Sequence, residues 1–273
     1  MKNFDLHSPE LNKKSLGYVK ECIKTGWLSS SGKYVKLFEK KIESYTSSKC
    51  ITCNSGTAAL HLSLILKNII SNDEVIVPTI TYIATVNSVL YNNARPIFID
   101  CNDDLSIDVD KLKDFLKSNS ILRNGSCINK KTKKKIKALI VTHVLGNIAK
   151  FEDLKKTCKK YNIIIIEDAA EAIGSFYRKS LHAGTLGDLG ILSFNVNKVI
   201  TSAGGGAILV KKETDKIKLN RLANQSKKDK VFFKHYGIGY NYGLSNIGAA
   251  IGLSQIEKIK NILKKKKNNF QNL

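Results

Sequence analysis

Short apolar runs alternate with longer stretches of helical periodicity along the chain. Residues 189–194 (LGILSF) and 207–210 (AILV) are continuous apolar runs, and 162–168 (NIIIIED) is a third that ends in Glu167 and Asp168. Runs of this length suit strands buried on both faces of a parallel sheet. Residues 74–78 (EVIVP), 96–100 (PIFID) and 138–143 (ALIVTH) add three more strands, and KCITC before residue 54 adds a short one feeding a turn. Between them, the spacing predicts helices over 16–24, 58–67, 108–116 and 151–161, with a loop and helix in 79–94. Residues 35–45 read as an amphipathic helix with Val35, Leu37, Phe38, Ile42 and Tyr45 on its inner face. The loop TGWLSSSG fills 25–32, and 117–137 is a polar, basic surface excursion before the sheet resumes. From Gly239 the pattern becomes a turn and one long helix ending in lysines, which suit a helix C-terminus. Strands alternating with helices predict an α/β fold with a mainly parallel sheet and right-handed crossovers.

The chemistry gathers at strand ends. Lys198 lies between two apolar runs, just before Gly204, Gly205 and Gly206. A lysine there either points into water from a loop or sits in a pocket, where it is a nucleophile towards carbonyls. Ligands of open α/β sheets bind outside the carboxyl ends of strands, which is where Asp168 stands. A Schiff-base lysine and an acid for a pyridinium nitrogen are the two protein groups that pyridoxal 5′-phosphate (PLP) requires. Ser55-Gly56-Thr57 precedes a helix and reads either as a cap or as an anion-binding turn. His143, at another strand end, reads as a polar strand-end contact, with a substrate contact left open.

EDAAEA, GTLGD, SFNVNKVITSAGGG and GYNYGLSNIGAAIGLSQIEKI occur in this order. Together they resemble the DegT/StrS family of PLP-dependent nucleotide-sugar aminotransferases, nearest to the branch acting on 4-keto-6-deoxy sugars, over residues 26–260. The resemblance implies the type I PLP-dependent aminotransferase fold. It implies Lys198 as the Schiff-base lysine, Asp168 on the ring nitrogen and Glu171 near the ring hydroxyl. It makes Gly56, Thr57 and Ala58 the phosphate cradle with Ser193 opposite, places Asn195 among the cofactor-binding residues and stacks Tyr82 on the ring. Asn241 would reach the phosphate of a neighbouring subunit, giving a homodimer with shared active sites. The expected reaction moves an amino group from glutamate to a nucleotide-linked 4-keto sugar, in amino-sugar biosynthesis for surface polysaccharide or glycan. Lys198 separates the chain from a dehydratase branch that carries histidine there.

The expected division is an arm at 1–14, a large PLP-binding domain at 15–240 and the start of a small C-terminal domain at 241–273. Relatives continue well past the last helix, so the chain reads as a truncated or short form. A non-catalytic PLP-binding or regulatory relative, or an inactive truncated form, is therefore the alternative function. Gly243 stands where many relatives carry arginine, so a substrate-side contact is expected to be absent.

Charge changes little in this picture. The net charge of +22 is a lysine effect, since only four of 45 basic residues are arginine. Specific nucleic-acid readers lean on arginine, so a solvated lysine surface is expected, one whose field favours anionic nucleotide-sugars. The six cysteines include a lone C-x-x-C, Cys50 and Cys53, without a second pair or a histidine cluster. This excludes an ordinary zinc site and points to structural thiols in a reducing cytoplasm. No run of about 18 apolar residues marks a membrane span.

Overall fold

The computed structural model describes residues 9–227 and 234–271. The elements run α1 (Lys13–Thr25), α2 (Lys33–Thr46), β1 (Lys49–Cys53), α3 (Gly56–Leu66), β2 (Glu74–Pro78), α4 (Ile83–Tyr91) and β3 (Arg95–Ile99). Then come α5 (Val109–Asn119), β4 (Ser120–Arg123), β5 (Ser126–Asn129), β6 (Ile136–Thr142), α6 (Phe151–Lys160) and β7 (Ile164–Asp168). The rest is β8 (Phe176–Tyr177), β9 (Leu181–His182), β10 (Leu189–Ser193), β11 (Gly206–Val210), α7 (Glu213–Ala223), α8 (Asn246–Ile256) and α9 (Ile259–Gln271). Of the expected N-terminal arm, the first eight residues lie outside the described ones, as do the last two residues of the expected C-terminal segment.

Seven strands form one sheet in the order β1-β11-β10-β7-β6-β2-β3. From β10 to β3 every pairing is parallel, whereas β11 runs antiparallel to both neighbours. The apolar runs fill both faces by simple alternation. Ile166, Ile191, Ile208, Val75 and Ile140 enter one core, with α3 and α7. On the opposite face, Leu139, Val141, Ile165 and Ile76 pack with α5 and α6. Leu192, Ala207 and Leu209 pack there with α2 and α8.

Polar side chains fix where the helices start. The Asn12 side chain accepts from the N–H of Lys14 and Ser15 at 2.8 and 3.2 Å, so α1 opens earlier than its apolar spacing predicts. Asp108 caps α5, and Ser245 caps α8 through the Gly248 N–H at 3.1 Å. Small residues in α8 let it lie against α2: a Cβ on Gly252 would sit 2.6 Å from the Phe38 ring. Residues of α8 and α9 share a core with α2, β10 and β11.

Four expectations need correction. Of the expected inner face of α2, Phe38 and Ile42 are buried and Val35 and Tyr45 pack against the core, but Leu37 is 40% exposed, and Tyr34 and Thr46 join the buried stripe. The long C-terminal helix is two helices, interrupted at Glu257 and Lys258. The basic excursion contains the β4–β5 hairpin, whose turn is Asn124-Gly125, both with positive φ. Helix α7 was not anticipated, since it buries only Leu219 and Ala223.

Candidate active site

The site lies at the carboxyl ends of the parallel strands, where α3, β7 and the β10–β11 connection meet. The connection is pinned by its own apolar residues. Phe194 and Ile200 are buried, Phe194 N–H donates to Gly205 O at 2.9 Å, and Ser202 N–H donates to Phe194 O at 3.0 Å. Lys198 is carried on this tether, with its N–H donating to Asn195 O at 3.0 Å. Its side chain is 17% exposed, and Nζ reaches Glu171 Oε1 at 3.1 Å. The open choice between a loop lysine and a pocket lysine is thereby settled in favour of the pocket.

Glu171 is held from the other side by the Leu145 N–H, which donates to Oε2 at 2.9 Å. Leu145 carries a left-handed φ of 53°, uncommon for a bulky residue. Burial would raise the Glu171 carboxyl, but the Leu145 N–H and the Lys198 ammonium outweigh it and hold it below its usual value. Asp168 ends β7 and is almost wholly buried. Burial raises its carboxyl above the usual range, against the opposing pull of the Thr85 hydroxyl, the Ala170 N–H, His143 and Lys198.

On the far side of the cleft, β11 rises against the start of α3. A Cβ on Gly206 would fall 2.6 Å from the Gly56 nitrogen, so only glycine allows this approach. Gly56 in turn meets Ser193, where a Cβ would stand 3.1 Å from the Ser193 Cβ. The first-turn amides of Gly56 and Thr57 have no partner within the helix, and both residues line the cleft at the helix's positive end. Unpartnered amides at a helix N-terminus suit an anion such as a phosphate group, so the residues present fit PLP.

One cleft of about 510 Å³ brings together Gly56, Thr57, Tyr82, Asp168, Glu171, Ser193, Asn195 and Lys198. Tyr82 stands at its mouth at 75% exposure. Two expected residues are not on the wall. Ala58 is buried, and its N–H is taken by the Ser55 side chain at 3.0 Å. Asn241 is exposed outside the cleft, where its backbone oxygen accepts from Asn54 Nδ2 at 3.4 Å. His143 is a buried strand-end contact, with Nε2 2.9 Å from Glu167 Oε2.

Sequence reasoning did not find Leu145 or the threonines Thr81, Thr85 and Thr142, which are strung on hydrogen bonds ending at Asp168. Cys50 and Cys53 are buried, with thiols pushed up by burial, as inert structural cysteines are. Among the described residues there is no group of three or more His, Cys, Asp or Glu able to hold a metal, and no helix long and apolar enough to cross a membrane.

The model of the DegT/DnrJ/EryC1/StrS aminotransferase family matches residues 9–273. The chain belongs to that family. It is 37% identical over 268 residues to GDP-perosamine synthase of Escherichia coli O157:H7, covering 98% of this chain and 69% of the relative. It is 34% identical to EpsN of Bacillus subtilis (strain 168), a protein assigned as a pyridoxal phosphate-dependent aminotransferase, over 98% of this chain and 67% of EpsN. Among solved structures it is similar to Helicobacter pylori PseC, an aminotransferase involved in the biosynthesis of pseudoaminic acid. The TM-score is 0.82 at 27% identity, over 95% of this chain and 66% of PseC. The chain thus spans about two thirds of the length of these relatives. Its fold is that of the PLP-dependent sugar aminotransferases, its family cofactor is PLP, and by family it is a sugar-nucleotide aminotransferase.

Proposed function

We propose that this chain moves an amino group from glutamate to the keto carbon of a nucleotide-linked 4-keto-6-deoxy sugar, as a step in making amino sugars for surface polysaccharide or glycan. The observation that carries the reading is the convergence of Lys198, Asp168 and the Gly56–Thr57 turn on one cleft. The names of GDP-perosamine synthase and PseC support the substrate class.

When bound, PLP supplies an electron sink for negative charge at a substrate carbon. The residues of this chain do the rest. The amides of Gly56 and Thr57, with Ser193, bind the phosphate group and fix the cofactor's position. Asp168 holds a proton on the ring nitrogen. Tyr82, Asn195 and Glu171 line the same cleft, where Tyr82 would stack on the ring and Glu171 would hold its hydroxyl. The Lys198 amine would take the proton from the donor's α-carbon, as general base, and would later deliver a proton to the sugar carbon that receives the amine, as general acid. Glu171 keeps Lys198 Nζ aimed into the cleft, at 3.1 Å.

Asn241 is exposed and is not among the residues lining its own cleft; it is assigned to the phosphate of a second subunit, so the working unit is a homodimer. The division into arm, large domain and start of a small domain at residue 241 belongs to the same proposal. So does a cytoplasmic location, supported by six unpaired cysteines. The non-catalytic alternative is not favoured, since the relatives named above are a synthase and aminotransferases.

The test is direct. The purified chain is loaded with PLP, reduced with borohydride and digested. Mass spectrometry should place the adduct on the Lys198 peptide, and Lys198→Ala should carry none. Amine transfer from glutamate to a GDP-linked 4-keto-6-deoxy-hexose should accompany it. An adduct on another lysine would contradict the assignment.

A further inference from the structure

Three threonine hydroxyls from two separate segments stand in series behind the cleft. Thr142 Oγ1 lies 2.9 Å from Thr81 Oγ1, Thr81 Oγ1 lies 2.8 Å from Thr85 Oγ1, and Thr85 Oγ1 lies 2.7 Å from Asp168 Oδ2. Thr142 sits at the end of β6, directly across the ladder from Asp168. Thr81 and Thr85 flank the start of α4.

Each hydroxyl has one proton to give, and an ionised carboxylate only accepts. With Asp168 ionised, the Thr85 proton goes to Oδ2. Thr85 must then accept from Thr81, which spends the Thr81 proton. Thr81 must in turn accept from Thr142. The competing acceptor for Thr81, the Tyr82 carbonyl, is at 3.5 Å, the limit of a hydrogen bond. All three protons therefore point towards the acid, and oriented hydroxyls in series strengthen one another. Oδ1 is fixed separately by the Ala170 N–H at 3.2 Å.

We propose that Thr85, backed by Thr81 and Thr142, is a positioning residue that aims the Asp168 carboxylate into the cleft and keeps it ionised before the cofactor arrives. The inference rests on the PLP reading above and adds the relay that prepares its acid. Without donors, a carboxyl this deeply buried takes up a proton and cannot receive a protonated ring nitrogen. The titratable groups acting on Asp168 are few. Lys198 faces it from the β10–β11 connection and His143 from the end of β6, and both favour the carboxylate. Glu167 is engaged by His143 and by the N–H groups of Gly184 and Gly187, and Glu171 by Lys198 and Leu145. From the start of α4 the acid receives a hydroxyl and no charge.

The experiment compares the full chain with Thr85→Val, which keeps the shape and removes the donor, and Thr85→Ser, which restores the hydroxyl. Carbon-13 NMR of the Asp168 carboxyl in the cofactor-free protein gives its titration directly. Thr85→Val should shift the midpoint upward by about one to two pH units, the scale of one hydrogen bond to a charged group. Thr85→Ser should return it to near the parent value. With nitrogen-15-labelled PLP, the ring-nitrogen shift should report a protonated ring in the parent and a smaller protonated fraction in Thr85→Val.

Unchanged carboxyl and ring-nitrogen titrations in a folded Thr85→Val protein overturn the relay. If that variant does not fold, Thr142→Val at the far end decides, with a smaller upward shift expected and no shift overturning the relay. A parent chain that binds no PLP defeats the cofactor reading alone, since the carboxyl titration still reads the relay.

Discussion

Burial works against Asp168 as a carboxylate, and the sign of that effect yields a test. Its folded-state carboxyl is raised above its usual value by burial. The folded protein therefore binds more protons here than the unfolded chain between the two values. The cofactor-free protein loses stability as pH rises through that window, and the loss is complete above it. Asp168→Asn removes the cost. Its cofactor-free melting temperature should exceed the parent's at neutral pH, and the advantage should vanish below the usual carboxylate range. The same variant should still bind PLP but lose turnover by roughly a hundredfold or more, the scale of one electrostatic group in a closed site. Thermal scans across pH, set beside the half-reaction rate with glutamate, separate the two effects. A parent that is the more stable at neutral pH would contradict the burial argument. Asp168 and Lys198 were legible in the sequence because each stands beside a buried strand, where a charge has to be explained. Thr81, Thr85 and Thr142 were not, since threonine is ordinary in strands and at helix starts, and only the fold brings β6 beside α4. Ala58 differs from Gly56 and Thr57 in a way the motif does not show: its N–H already donates to the Ser55 side chain.

The elements that position the site were mostly readable, and the failures share a cause. β2, β6, β7, β10 and β11 announce themselves as apolar runs because both sheet faces are covered. Helix α7 and the β4–β5 hairpin bury little, so they carry weak periodicity, although Asn124-Gly125 was an available turn signal. The break between α8 and α9 leaves no glycine or proline in the sequence to mark it. A close fit beside the site is also between elements, where β11 meets the start of α3 at Gly206. Gly206→Ala forces a methyl against the Ser55–Gly56 backbone, which is not a flexible side-chain end and has to shift. The expected outcome is a PLP affinity at least tenfold weaker, from a displaced cradle, with about 1–3 kcal/mol lost in stability from overpacking. Equilibrium dialysis with PLP and urea unfolding measure the two. Unchanged PLP binding would mean that the α3 N-terminus is not the phosphate cradle.

At the scale of the molecule, several large apolar side chains lie exposed on a chain of net charge +22. Tyr82, Ile83 and Tyr91 lie exposed on and beside α4, and Trp27 and Leu28 lie exposed on the loop before α2. Such surface is normally covered, and soluble homo-oligomers mostly cover it by two-fold pairing of one patch with itself. Asn241 gives the pairing a chemical consequence. It sits near the cleft, its backbone oxygen tied to Asn54, yet its side chain is no part of the cleft wall. A second copy is the phosphate site it is proposed to serve. If each cleft borrows Asn241 from its partner, cofactor binding and assembly are linked by mass action, and each strengthens the other. The expected result is a homodimer whose PLP affinity falls on dilution through the dimer dissociation range. Asn241→Ala should weaken PLP retention while leaving the Lys198 adduct site unchanged. Sedimentation at several concentrations, read together with PLP absorbance, checks both. A monomer that keeps full PLP occupancy at every dilution would show that each cleft is complete within one chain, and Asn241 would then have no role in it.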